Sequence, residues 1–88
     1  MHRVTKKELE KKVDYINFKN GIDTGLKGSY ILYKDHGGYE LHLIVNDGRG
    51  VRQIGYYKKT SSEMYFFLDG IINGIQIREA LADLESAR

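Results

Sequence analysis

The stretch Tyr39-Glu40-Leu41-His42-Leu43-Ile44-Val45 constrains the fold most, because it combines period-two alternation with a turn signal on each side. Tyr39, Leu41, Leu43 and Val45 fall on one face and Glu40 and His42 on the other. A period of two is that of a strand with one face on a core. Asp35-His36-Gly37-Gly38 precedes it and Asn46-Asp47-Gly48-Arg49-Gly50 follows it. Turns this short join antiparallel neighbours, and their glycines are suited to positive φ. The flanking segments Ser29–Tyr33 and Val51–Ile54 are rich in β-branched and aromatic residues and complete a three-stranded antiparallel meander.

Helical signals stand on either side of the strands. Thr5-Lys6-Lys7-Glu8 is a capping box, and Val4 and Leu9 have the spacing of a hydrophobic staple. Leu9, Val13 and Ile16 then recur on one stripe, and Asn20-Gly21 is a C-terminal stop. Residues 21–28 are a glycine-rich link without periodicity. Thr60-Ser61-Ser62-Glu63 repeats the capping box ahead of the stripe Met64, Phe67, Leu68, Ile71 and Ile75. Asn73-Gly74 interrupts that pattern. Beyond it Ile77, Leu81 and Leu84 lie on nearly the opposite side of a straight helix. Either the helix breaks at Gly74, or one continuous helix shows a second apolar face that another chain would cover.

The predicted fold is therefore α+β in the order α-β-β-β-α, with both helices packed on one face of the sheet. Its expected core is Val13, Ile16, Leu41, Leu43, Val45, Phe67, Leu68 and Ile71. At 88 residues the chain is one domain, 1–88, with 76–88 as a C-terminal extension. With 41% hydrophobic and 30% charged residues it is a globular composition and not a disordered one.

Cysteine is absent, which excludes disulfides and thiol catalysis and fits a reducing compartment. No apolar run reaches the length of a membrane span, and the basic start lacks the apolar stretch of a signal peptide. The expected location is the cytoplasm of the host cell, with no membrane partner. Net charge is +2 and unevenly spread: the first 60 positions are mildly basic and the remainder is acidic. This asymmetry reads as solvated faces of opposite sign more readily than as a basic patch.

Catalytic signals are sparse, and no catalytic residue, metal site or cofactor is expected. His2 is near the terminus, His36 lies in a turn, and His42 alternates onto the polar strand face beside Glu40. Asp35, His36, Glu40 and His42 lack a recognised ligand spacing. Asp47-Gly48-Arg49-Gly50 leads into a strand, whereas a phosphate loop leads into a helix. The seven tyrosines say more. Tyr39 and one of Tyr30 or Tyr33 point into the core. Arg49, Arg52, Tyr56, Tyr57, Lys58 and Lys59 are close in sequence and form a candidate contact edge, since tyrosine and arginine are favoured in interfaces. Ile77, Leu81 and Leu84 are the candidate for self-association as a homodimer, or for a partner helix.

Residues 5–75 resemble a group of small phage and prophage proteins of Gram-positive bacteria. The resemblance rests on Lys6-Lys7-Glu8-Leu9-Glu10-Lys11-Lys12-Val13 followed by Tyr15-Ile16-Asn17, and on Gly37-Gly38-Tyr39-Glu40-Leu41. It continues through Asn46-Asp47-Gly48-Arg49-Gly50-Val51 and Phe67-Leu68-Asp69-Gly70-Ile71-Ile72-Asn73-Gly74-Ile75. These are turn and core motifs, so the resemblance implies a phage accessory role without a mechanism. The expectation is a binding protein that modulates a host or defence-system protein through the Tyr/Arg/Lys edge. Two alternatives are a nucleic-acid-binding accessory protein using the same edge, and a protein that sequesters a small molecule such as a nucleotide between protomers.

Overall fold

The computed structural model describes residues 3–86, the side chain of Tyr56 excepted. The order is α1 (Lys6–Lys19), β1 (Tyr30–Asp35), β2 (Gly38–Ile44), β3 (Val51–Lys59) and α2 (Ser61–Ser86). The strands form one antiparallel sheet in the order β1-β2-β3. The α+β meander expected from the sequence is the fold observed.

Both helices start where the capping boxes predict. The Glu8 amide donates to Thr5 Oγ1 at 3.2 Å, and the Glu63 amide donates to Thr60 Oγ1 at 3.1 Å. In return the Thr60 amide donates to Glu63 Oε1 at 2.9 Å. These contacts satisfy amides that the helix itself leaves without acceptors. The carboxyl of Glu63 is consequently held below its ordinary range, chiefly by the Thr60 amide.

Three strands stand between the helices. An odd number of strands makes the number of chain reversals between the helices even, so α1 and α2 run parallel. Two ion pairs mark the alignment: Lys12 Nζ lies 2.5 Å from Asp69 Oδ1, and Lys19 Nζ lies 2.8 Å from Glu79 Oε2. Between the helices and one sheet face lies the core: Leu9, Val13, Ile16, Tyr39, Leu41, Met64, Leu68 and Ile75. Each fully buried Leu or Ile side chain contributes about 1.5–3 kcal/mol by leaving water. Tyr30 packs against this cluster and Tyr33 is half exposed, which settles which tyrosine joins Tyr39.

Several expected core positions are corrected. Phe67 and Ile71 only border the core, Leu43 is half-buried, and Val45 is exposed beyond the end of β2. Helix coverage ends before the β2–β3 turn, so alternation there no longer meets a packing partner. Ile44 is buried instead, on the opposite face beside Gly25, Ile31 and Val51. In the β2–β3 turn it is Arg49, not a glycine, that has positive φ (63°). The Asn46 side chain accepts from the Gly50 amide at 2.9 Å and holds that turn closed.

β3 is also longer than expected, because it contains an irregularity. Leu41 pairs with Ile54 and Tyr39 with Lys59, so Glu40 alone in β2 stands against residues 55–58 of β3. Gly55 sits in the excess with φ 98°. Finally, α2 is a single helix through Gly74, anchored on each side by buried Leu68 and Ile75. Residues 76–86 are exposed throughout.

Candidate functional site

Parallel helices bring both capping threonines to one end of the molecule. A groove of about 510 Å³ opens there, lined by Arg3, Val4, Thr5, Lys6, Lys34, Gly38, Tyr39, Thr60 and Ser61. Its lining comes from four elements: the start of α1, the start of α2, the end of β1 and the start of β2. Three of the lining residues are cations and none is a carboxylate. First-turn amides carry partial positive charge at each helix start, so both helices add to the same sign. Glu8 and Glu63 lie behind their capping threonines and offset part of that charge. Lys34 Nζ lies 5.3 Å from the ring centroid of buried Tyr39, which fixes the lysine stem along the groove floor. Among the described residues Lys6 keeps only a long exposed contact, 3.9 Å to Glu10. With its cationic lining, the groove has the volume of a small-ligand pocket.

A second surface is the sheet face away from the helices. There Tyr33 stacks on His42 with centroids 5.2 Å apart, and His42 Nε2 lies 2.8 Å from Glu40 Oε1. Lys58 pairs with Asp35 on the same face. The Lys58 ammonium, followed by the Gly37 amide, holds the Asp35 carboxyl below its ordinary range, and Asp35 raises Lys58 in turn. His36 does not join Asp35, Glu40 and His42 in a ligand set. Among the described residues no three His, Cys, Asp or Glu converge as a metal site requires. His2 lies outside the described residues.

The Arg49–Lys59 edge expected from the sequence is dispersed. Arg49 is at the tip of the β2–β3 turn, while Lys58 and Lys59 are at the far end of β3. Arg52 pairs opposite Leu43 and is exposed. Tyr57 is exposed, and the side chain of Tyr56 lies outside what is described. Lys58 is engaged by Asp35. Lys59 is corrected outright, being 6% exposed. Its Nζ lies 4.4 Å from the Phe67 centroid and 4.5 Å from that of Tyr57, and donates to the Tyr57 carbonyl at 3.2 Å. Room for it exists because Gly55 has no side chain: a Cβ there would meet Lys59 Nζ at 2.7 Å. An isolated glycine inside a strand pattern is the signal that marks such a bulge.

The groove residues Arg3, Lys6 and Lys34 escaped the sequence reading. Their signal was present in two capping boxes separated by an odd number of strands, which places both helix starts together. Ile77, Leu81 and Leu84 are exposed at 61%, 57% and 61%. No family model, curated protein or solved structure matches this chain. No helix among the described residues is long and apolar enough to cross a membrane.

Proposed function

We propose that this chain is a small binding protein that holds an anionic group, a phosphate or carboxylate, in the groove between the two helix starts. The observation that carries this reading is the convergence of Arg3, Lys6, Lys34 and two parallel helix N-termini on one concavity with no lining carboxylate. The anion belongs either to a nucleotide-like small molecule or to an acidic patch on a host or defence protein. The resemblance to phage and prophage proteins favours such a target, met in the host cytoplasm. Binding without catalysis is the whole of the proposed activity. A nucleic-acid reading draws less support, since Lys58 is paired and Lys59 is enclosed.

The test compares wild type with the charge-reversed Lys6→Glu, Lys34→Glu double variant, both positions being exposed. Thermal shifts are read against inorganic phosphate, a nucleotide panel and a polyglutamate peptide. A ligand at a hundred times its Kd adds about 2.7 kcal/mol, roughly ten degrees or more in a domain this small. We expect one probe class to raise the wild-type Tm, less so at high salt, and to leave the variant unmoved. The reading fails if no probe shifts the wild type, or if both proteins shift alike.

A further inference from the structure

The outward face of α2 carries a heptad seam. Phe66, Gly70, Asn73, Ile77, Ala80 and Leu84 follow one another at spacings of four, three, four, three and four. That is the a/d repeat of a two-helix contact. All six are exposed, Phe66 at 71%. The buried residues Leu68 and Ile75 occupy the opposite f positions, so the seam points directly away from the domain's own core. Near the end of α1, Lys19 pairs with Glu79 and Arg78 donates to the capping Asn20. The helix then continues to Ser86 past the end of α1. The Cα radius of gyration, 14.3 Å, exceeds the roughly 12 Å of a compact domain of this length accordingly.

We infer that α2 pairs antiparallel with α2 of a second copy, about a two-fold axis near Gly74. The seam is complementary to itself in this register and direction. Layers form where residue numbers sum to 150. Phe66 then meets Leu84 of the second copy, Gly70 meets Ala80, and Asn73 meets Ile77. Bulky residues meet at the ends, while small ones at Gly70 and Ala80 allow the helices to approach closely. A Cβ at Gly70 or Gly74 meets nothing within 4 Å of its own chain, so both notches are open. On one flank Gly74 faces its own symmetry mate, and Leu81 covers Phe67. On the other flank Asp83 comes opposite Asp69. Lys12 already holds the Asp69 carboxylate at 2.5 Å and there supplies the charge that Asp83 needs. About 23 residues of each helix overlap, a seam of roughly 34 Å. The two domains lie on its outer sides, with their grooves at opposite ends. This inference concerns a different surface from the anion groove and does not depend on it.

Light scattering of the full chain at micromolar to hundred-micromolar concentration reads the association. The expected mass is that of two copies, falling to one for Ile77→Glu. That position is solvent-exposed in the monomer, so unchanged far-UV circular dichroism is expected. A wild type that is monomeric throughout this range overturns the proposal and assigns the seam to a different partner. Direction is read by cysteine crosslinking, which the absence of native cysteine makes clean. Gly74→Cys should oxidise to a covalent dimer and Leu84→Cys alone should not. Efficient crosslinking through Leu84→Cys would indicate parallel helices and reject the proposed arrangement.

Discussion

Asn17 joins α1 to the sheet by acting as an extra peptide group. It is 1% exposed, and its Nδ2 donates to the Tyr30 carbonyl at 2.9 Å while its Oδ1 accepts from the Tyr30 amide at 2.7 Å. Asn17→Ala leaves both backbone groups of Tyr30 without that partner. A buried polar group left unsatisfied costs about 1–3 kcal/mol. We expect a loss on the order of 2–4 kcal/mol, seen as a urea midpoint lower by roughly a molar or more. A midpoint within a few tenths of a molar of wild type would show that water takes over both bonds. Periodicity does not reveal this role. Asn17 follows Ile16 at the border of the apolar stripe, and a polar residue there reads as solvated until the partner strand is placed. Lys59 illustrates the converse: a lysine beside another lysine reads as surface, and only the Gly55 bulge turns it inward.

Among the elements, β3 is the least regular and the most consequential. Its excess residues open the space that Lys59 fills and bring Lys59 opposite Tyr39, directly behind the β1–β2 turn. Gly38, with φ 127°, makes that approach feasible, for a Cβ there would stand 2.7 Å from the Lys59 carbonyl oxygen. A backbone oxygen within a strand pair cannot move aside cheaply. Gly38→Ala should therefore lose about 1–3 kcal/mol from backbone conformation alone, and more from the clash. Thermal denaturation measures this, and a Tm equal to wild type would mean that the strand pair relaxes freely. The helices were far more legible than β3, since each start is marked by a reciprocal cap and each core stripe by its spacing. The extent of β3 was not, because a bulge breaks the alternation on which a strand reading depends.

For the whole molecule, acid stability provides a test of the exposed ion pairs. The folded-state pKa of Asp35 is lowered, first by Lys58 and then by the Gly37 amide. A lowered carboxylate contributes stability above its unfolded value, about 3.9, and loses it as pH falls through the folded value. Asp35→Asn should thus melt below wild type near neutral pH, by a small margin because the pair is solvent-accessible. The margin should close as pH drops below about 4. A gap of constant size down to pH 2 would assign the loss to altered turn geometry and not to charge. The same topology that placed both helix starts together was implicit in the count of strands, yet which residues line the groove was not. Lys34 reaches it from a strand, and no local pattern ties that strand end to Arg3.

The sheet has two outer edges, and neither offers a straight template for further strands. Along β3 the extra residues put the hydrogen-bonding groups out of step with any regular chain. Along β1 Asn17 takes the first position and a charged Lys34 stands near the other end. Both edges are thus interrupted as ladders for a further strand, a feature that disfavours edge-to-edge pairing between copies.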